Sequence, residues 1–132
     1  MDESHRKILS DYRMKSAEEL LRASKLLLDQ GFFKDSIGRS YYAMFASTRA
    51  ILALDGKDFS KHSGVISYFQ KEYIKTQKFD VKFSKYLTTA FQDRNRADYE
   101  DYYMVSKDEA VEQYEKAIEF FEAVKAYLEQ NE

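Results

Sequence analysis

Residues 93 to 103 read DRNRADYEDYY and bring two arginines, four acids and three tyrosines into eleven positions. A guanidinium is planar and permanently charged, so it can hold a phosphate through two parallel hydrogen bonds. Phenols beside it can hydrogen-bond, stack on a base or accept a covalent group. On a helix, Arg94 and Asp98 stand four apart and face each other. Arg94 and Ala97 share a side with Phe91, so an apolar ridge leads to the arginine, while Arg96 points a third of a turn or more away. Two readings fit this pattern. Arg94, fixed by Asp98, holds a phosphate, or the pair closes a helix end whose dipole favours cations. Proton transfer is harder to find here. The stretch has no histidine, and Asp98 and Asp101 are poor bases for a hydroxyl at an ordinary carboxylate pKa.

His62 is the histidine best placed to supply that chemistry. It follows Lys61 at the start of an expected helix, where it can contact an anion, cap the helix or stay a neutral imidazole satisfied by hydrogen bonds. It replaces the missing base only if the fold carries it to an Arg94-bound phosphate. Arg39 and Arg49 flank Tyr41 and Tyr42. That mixture suits a nucleotide or single-strand binder, and equally the rim of a helix pair with arginine heads in water.

These groups sit in a 132-residue chain, which suits one domain over 1–132. Cysteine is absent and the two histidines, His5 and His62, are far apart, so no metal centre or cofactor is expected. No apolar run approaches a membrane span, and the polar start MDESHRKILS lacks a signal-peptide core; the expectation is a cytoplasmic protein without membrane contact. The net charge of -2 is unevenly spread. Residues 57–85 carry seven lysines against three acids, and residues 106–132 three lysines against eight acids. The middle can meet a polyanion and the C-terminal segment repels one, although both are also what solvated helix faces look like.

Proline is absent and glycine occurs four times, which favours long helices. Ala17, Leu20, Leu21, Ser24, Leu27 and Leu28 form one stripe of a helix over about 4–30, stopped by Gly31. A second helix begins near Asp35 as N-cap, buries Ile37, Tyr41, Met44, Thr48, Ile51 and Leu52, and ends at Asp55-Gly56. A third starts near Ser63 with Val65, Ile66, Phe69 and Tyr73 inward. A fourth runs from Asp80 through 99 with Phe83, Leu87, Ala90 and Phe91 inward. The last begins at the capping box SKDE with Ser106 as N-cap, and its stripe is Val111, Tyr114, Ile118, Phe121, Val124 and Leu128. Five amphipathic helices with short connections predict an all-α, up-and-down helical bundle.

Four features occur together in this order: SIGRSYYAMFASTRAILAL at 36–54, KHSGVI at 61–66, RNRADY at 94–99, and an acidic, aromatic last helix. With them the chain resembles the HEPN family (higher eukaryotes and prokaryotes nucleotide-binding domain). The resemblance implies a small helical bundle that dimerises through the helices bearing the arginine motif. Family ribonucleases are metal-independent, often toxins, and carry an arginine followed after four to six residues by histidine. Arg94 matches the arginine. Counted from Arg94 or from Arg96, the histidine positions hold Tyr99, Glu100, Asp101, Tyr102 or Tyr103, so the motif is degenerate and enzyme activity is not the first expectation. Some members pair with a minimal nucleotidyltransferase that attaches AMP to a tyrosine just after the histidine; by position this is Tyr102 or Tyr103. The resemblance thus implies a homodimeric module binding a nucleotide or RNA phosphate through Arg94, Asp98, Arg96 and Tyr99, in a toxin–antitoxin-type pair. Its alternatives are a divergent metal-independent endoribonuclease using Arg94 with His62 or a tyrosine, and a dimerisation module whose motif is a relic.

Overall fold

The computed structural model describes residues 2–131. The helices are α1 (Glu3–Asp29), α2 (Phe33–Leu54), α3 (His62–Phe69), α4 (Val81–Tyr99) and α5 (Lys107–Gln130), with a π-helical turn, Gln70–Ile74, continuing α3. Among the described residues there is no strand. The four long helices pack as a bundle, and the short α3 lies against α2 and α4.

Turn chemistry sets most boundaries. Gly31 (φ 84°) and Gly56 (φ 69°) sit just past α1 and α2 in the left-handed region that glycine enters without strain. At each, two backbone N–H groups return to the last turn: Gly31 to Leu28 and Phe32 to Leu27, then Gly56 to Ala53 and Lys57 to Leu52. Asp80 caps α4 by accepting from the Lys82 N–H, and Ser106 caps α5 by accepting from the Glu109 N–H. The capping box is altered, because the Glu109 carboxylate accepts from the Ser106 hydroxyl. The expected cap at Asp35 is wrong. Helix α2 begins one turn earlier, with Phe32 at the cap position and no side-chain cap. The tight return from Gly31 starts the helix at once, and Asp35 lies in its first turn, where its charge complements the dipole.

The core joins Leu21, Tyr41, Met44, Ile51, Val65, Phe69, Leu87, Phe120 and Val124. Between α1 and α2, Ser24 hydrogen-bonds the hydroxyls of Ser36 and Ser40, and Ser36 donates to the Ser24 carbonyl. These small buried side chains satisfy one another and let the two backbones approach closely. The α5 stripe is rotated from the expected one. Ala110, Gln113, Ala117, Phe120, Phe121 and Val124 are buried, while Val111, Tyr114, Ile118 and Leu128 flank them. The small alanines take the line of closest approach, where a reading led by large apolar residues passes over them.

At the end away from the arginine motif, Asp55 accepts hydrogen bonds from the phenols of Tyr68 and Tyr73. The π turn carries Tyr73 into this position. Burial, then the Asp55 carboxylate, pushes the Tyr68 phenol up to about 12, and burial followed by the Asp55 hydrogen bond raises Tyr73 as well. Their unfolded value is about 10. A raised phenol pKa favours the folded state while the phenol is protonated, so this contribution is intact below pH ~10 and is lost as pH rises through the folded values. The urea midpoint should therefore fall from pH ~10 upward, and fall less steeply in Asp55→Asn. Parallel pH dependence in the two proteins would remove Asp55 from the account.

Candidate functional site

Helix α4 stays regular to Tyr99, and buried Ala90 and Ala97 seat its inner face. Arg94 is carried between that face and solvent, with a side chain 18% exposed. One terminal nitrogen donates to the Tyr42 hydroxyl and the other to Asn95 Oδ1 at 2.9 Å. Nε lies 3.0 Å from Asp98 Oδ2, an ion pair whose N–H is not aligned as a hydrogen bond. The guanidinium also stands 5.0 Å from the Tyr42 ring centroid. Of five N–H donors, two are used, which leaves the buried Nε–H beside Asp98 and one N–H on each terminal nitrogen. That is a guanidinium held in place with two donors to offer.

Arg94 lines a groove of about 620 Å³ between α2 and α4, which Leu27 of α1 also borders. Lys34, Arg39 and Arg94 line it against Asp35 and Asp98. Gly38 also lines it, and a Cβ there would meet nothing within 4 Å. The groove is polar, open and cation-rich, suited to an anion and too wet for an apolar ligand.

His62 sits beyond Tyr42. Its Nδ1 is 2.7 Å from the Tyr41 hydroxyl, and its ring stacks on Phe45 at 4.1 Å between centroids. The Tyr42 ring meets it edge-on at 5.9 Å, so Tyr42 touches both Arg94 and His62. Helix capping, one of the roles open to His62 from sequence, is not what it does; the side chain turns inward to Tyr41. Burial first, then the charges of Arg94 and Arg49, hold the imidazole below its usual pKa. Burial also raises the Tyr41 phenol, which stays protonated and can donate to Nδ1. A depressed histidine pKa means that the unfolded chain binds the proton more readily. This contribution is therefore full above the unfolded value of ~6.5 and is lost as pH falls through the folded value. NMR titration should give His62 a pKa below the ordinary histidine value, and Arg94→Gln should move it upward. An unmoved His62 would show that Arg94 is not electrostatically coupled to it.

The remaining residues of the motif diverge. Arg96 turns away, pairs with Glu100 at 3.3 Å and lies 4.5 Å over the Tyr103 ring. Tyr99 is 78% exposed at the helix end. Tyr103 packs against Leu28, Ile37, Ala97 and Ala110, whereas Tyr102 is 98% exposed with φ 64°. A tyrosine in the left-handed region costs about 1–2 kcal/mol. Tyr102→Gly relieves this but adds unfolded-state freedom, so a gain of about 0.5–1 kcal/mol is expected in urea unfolding; a loss would point to a stabilising role for the ring. Arg49 does not join the Arg94 groove. It donates twice to Asp58 at 3.0 and 3.1 Å, and Arg13 donates to the Arg49 carbonyl. Part of the lysine-rich segment is spent inside the fold: Lys82 pairs with Glu119 and Lys78 covers Tyr73. Sequence reasoning missed Lys34 and the junction role of Tyr42. The signal for Tyr42 was its place on a stripe with Gly38, Phe45 and Arg49 on α2.

Residues 10–127 match the family described as the HEPN domain. The chain is 36% identical over 115 residues to "Putative toxin MJ0142" of Methanocaldococcus jannaschii, covering 87% of this chain and 78% of that protein. A UPF0332 protein of Thermotoga maritima is 32% identical over 119 residues, 90% of each chain. Another UPF0332 protein, from Archaeoglobus fulgidus, is 31% identical over 121 residues, 92% of this chain and 96% of its own. With a helical bundle, an arginine-centred groove and a match across most of its length, the chain belongs to the HEPN domain family.

Proposed function

We propose that the protein binds the phosphate of a nucleotide or RNA in the groove between α2 and α4, as one component of a toxin–antitoxin-type pair. The observation that carries the reading is Arg94 itself: mostly buried, fixed by Tyr42, Asn95 and Asp98, with two N–H groups left for a ligand. Lys34 and Arg39 add charge along the same groove. The toxin half of the reading is supported by relatives named as putative toxins, one at 36% identity. The partner is a minimal nucleotidyltransferase, and Tyr102, fully presented to solvent, is a better AMP acceptor than the packed Tyr103. Two copies pair through the end bearing the motif, where Tyr99 and Phe32 expose apolar surface.

A second reading is favoured by one contact set. Because Tyr42 touches both Arg94 and His62, a phosphate on Arg94 lies in the neighbourhood of an imidazole that is neutral at pH 7. A residual metal-independent ribonuclease would use His62 in proton transfer. The deciding experiment incubates purified protein with mixed single-stranded RNA in excess EDTA, beside Arg94→Ala and His62→Ala. The binding reading expects no cleavage by any of the three, with RNA retained by the unsubstituted protein. Cleavage lost in both variants would replace it with the enzyme reading. Failure to retain RNA or nucleotide, with Arg94→Ala altering only self-association, would leave the motif a dimerisation relic.

A further inference from the structure

A second hollow, about 460 Å³, is bordered by His62. Phe45, Phe59 and His62 line it, with Phe59 the more exposed of the two phenylalanines, and Arg49, Asp58 and Ser60 supply its polar edge. The two hollows lie along one face of α2. Gly38 and Tyr42 border the first, Phe45 and Arg49 the second, and the spacing of four, three and four residues is one helical stripe. From Gly38 to Arg49 the helix rises about 16 Å, a length suited to a short run of nucleotides.

The second hollow is assembled from parts that hold each other. Phe59 rests against the Tyr68 ring at 5.6 Å between centroids. It also lies directly over Gly64, where a Cβ would come 3.0 Å from the Phe59 Cβ and 3.2 Å from its Cγ. The absence of a side chain at 64 is what lets the ring lie down on α3. Phe45 and His62 form a stacked pair. Asp58 is anchored by Arg49 and by the Phe59 N–H at 2.9 Å, with Arg13 3.5 Å away. Two arginines share that one carboxylate, so the edge keeps excess positive charge. Aromatic walls beside a cationic edge are what a nucleobase with an attached phosphate requires, and stacking on rings tolerates any base.

We propose that the hollow at Phe45, Phe59 and His62 is a base-stacking subsite, which takes a nucleobase of a single-stranded RNA whose neighbouring phosphate lies on Arg94. The inference rests on the phosphate-binding reading for its register along α2. It makes the substrate a single strand, because a base inside a duplex cannot enter the slot.

The test compares hexaadenylate with a hexamer carrying abasic tetrahydrofuran spacers at every position, each measured by fluorescence anisotropy against the unsubstituted protein, Phe59→Ala, Gly64→Ala and Arg94→Ala. Phe59→Ala should weaken hexaadenylate roughly tenfold, within the range for losing one stacked base, and leave the abasic hexamer unchanged. Gly64→Ala should give a smaller loss of the same selective kind, since its methyl group displaces Phe59 while improving helix propensity; misfolding would not explain it. Arg94→Ala should weaken both hexamers. Equal binding of the two hexamers by the unsubstituted protein, or a Phe59→Ala effect that is absent or equal for both, overturns the stacking subsite. Arg94→Ala binding both hexamers as well as the unsubstituted protein does overturns the phosphate reading, and a selective Phe59→Ala loss would then leave a base slot without its proposed register.

Discussion

Arg94→Ala is expected to weaken binding of a single-stranded oligoribonucleotide by roughly thirtyfold, within the range of about 1.5–3 kcal/mol for hydrogen bonds to a charged group. The guanidinium does not swing freely. Tyr42, Asn95 and Asp98 already hold it, so little ordering is left to occur when a phosphate arrives. Arg94→Lys should recover only part of the loss, because an ammonium is a point charge and cannot reproduce the planar contacts to Tyr42 and Asn95. The salt dependence of binding should also flatten by about one unit of slope in Arg94→Ala. Stability should change little, since Asp98 is 47% exposed and can return to water. Isothermal titration across two salt concentrations and a urea curve separate these effects. Unchanged affinity with a markedly lowered urea midpoint would make Arg94 a structural residue.

Phe69→Ala should cost about 3–5 kcal/mol of stability, the usual loss for a buried phenylalanine. The Phe69 ring is fully buried where α3, the π turn and α5 meet, with Phe79 at 5.6 Å and Phe120 at 5.7 Å between centroids. A chain of this length has roughly 7–20 kcal/mol in total, so the variant folds but loses much of its margin. The consequence reaches the site. Helix α3 carries His62 at one end and Phe69 at the other. Loosening Phe69 lets water reach His62, and its pKa should rise toward the ordinary imidazole value. Urea unfolding and the His62 titration check both parts. A loss below about 1 kcal/mol would mean that the aromatic cluster repacks around the gap.

The sequence made the helices legible because their apolar spacing and glycine stops are local signals. Gly31, Gly56, Asp80 and Ser106 each end or begin a helix where their chemistry says they should. Asp35 misled because a good capping residue stood one turn inside a helix already started by the Gly31 return. The α5 stripe was misjudged for a packing reason: Ala110 and Ala117 take the closest approach, and their small size hides them in a pattern read by large side chains. At the site, the Arg94–Asp98 pair was readable from a spacing of four. The Tyr42 junction was not, since it needs α2, α3 and α4 brought together. The same holds for the pairing of Arg49 with Asp58, which moved that arginine away from the groove and into the wall of a second hollow.

The bound phosphate is expected on Arg94, in the groove between α2 and α4. Chemical-shift mapping during titration with hexaadenylate tests this most directly, because two cationic regions compete. The largest shifts should fall on the Arg94 side chain, Gly38, Arg39 and the His62 ring, and inorganic phosphate at higher concentration should reproduce those at Arg94. Shifts confined to the lysine-bearing surface of the π turn and early α4, around Lys71, Lys75 and Lys85, with Arg94 unmoved, would contradict this placement.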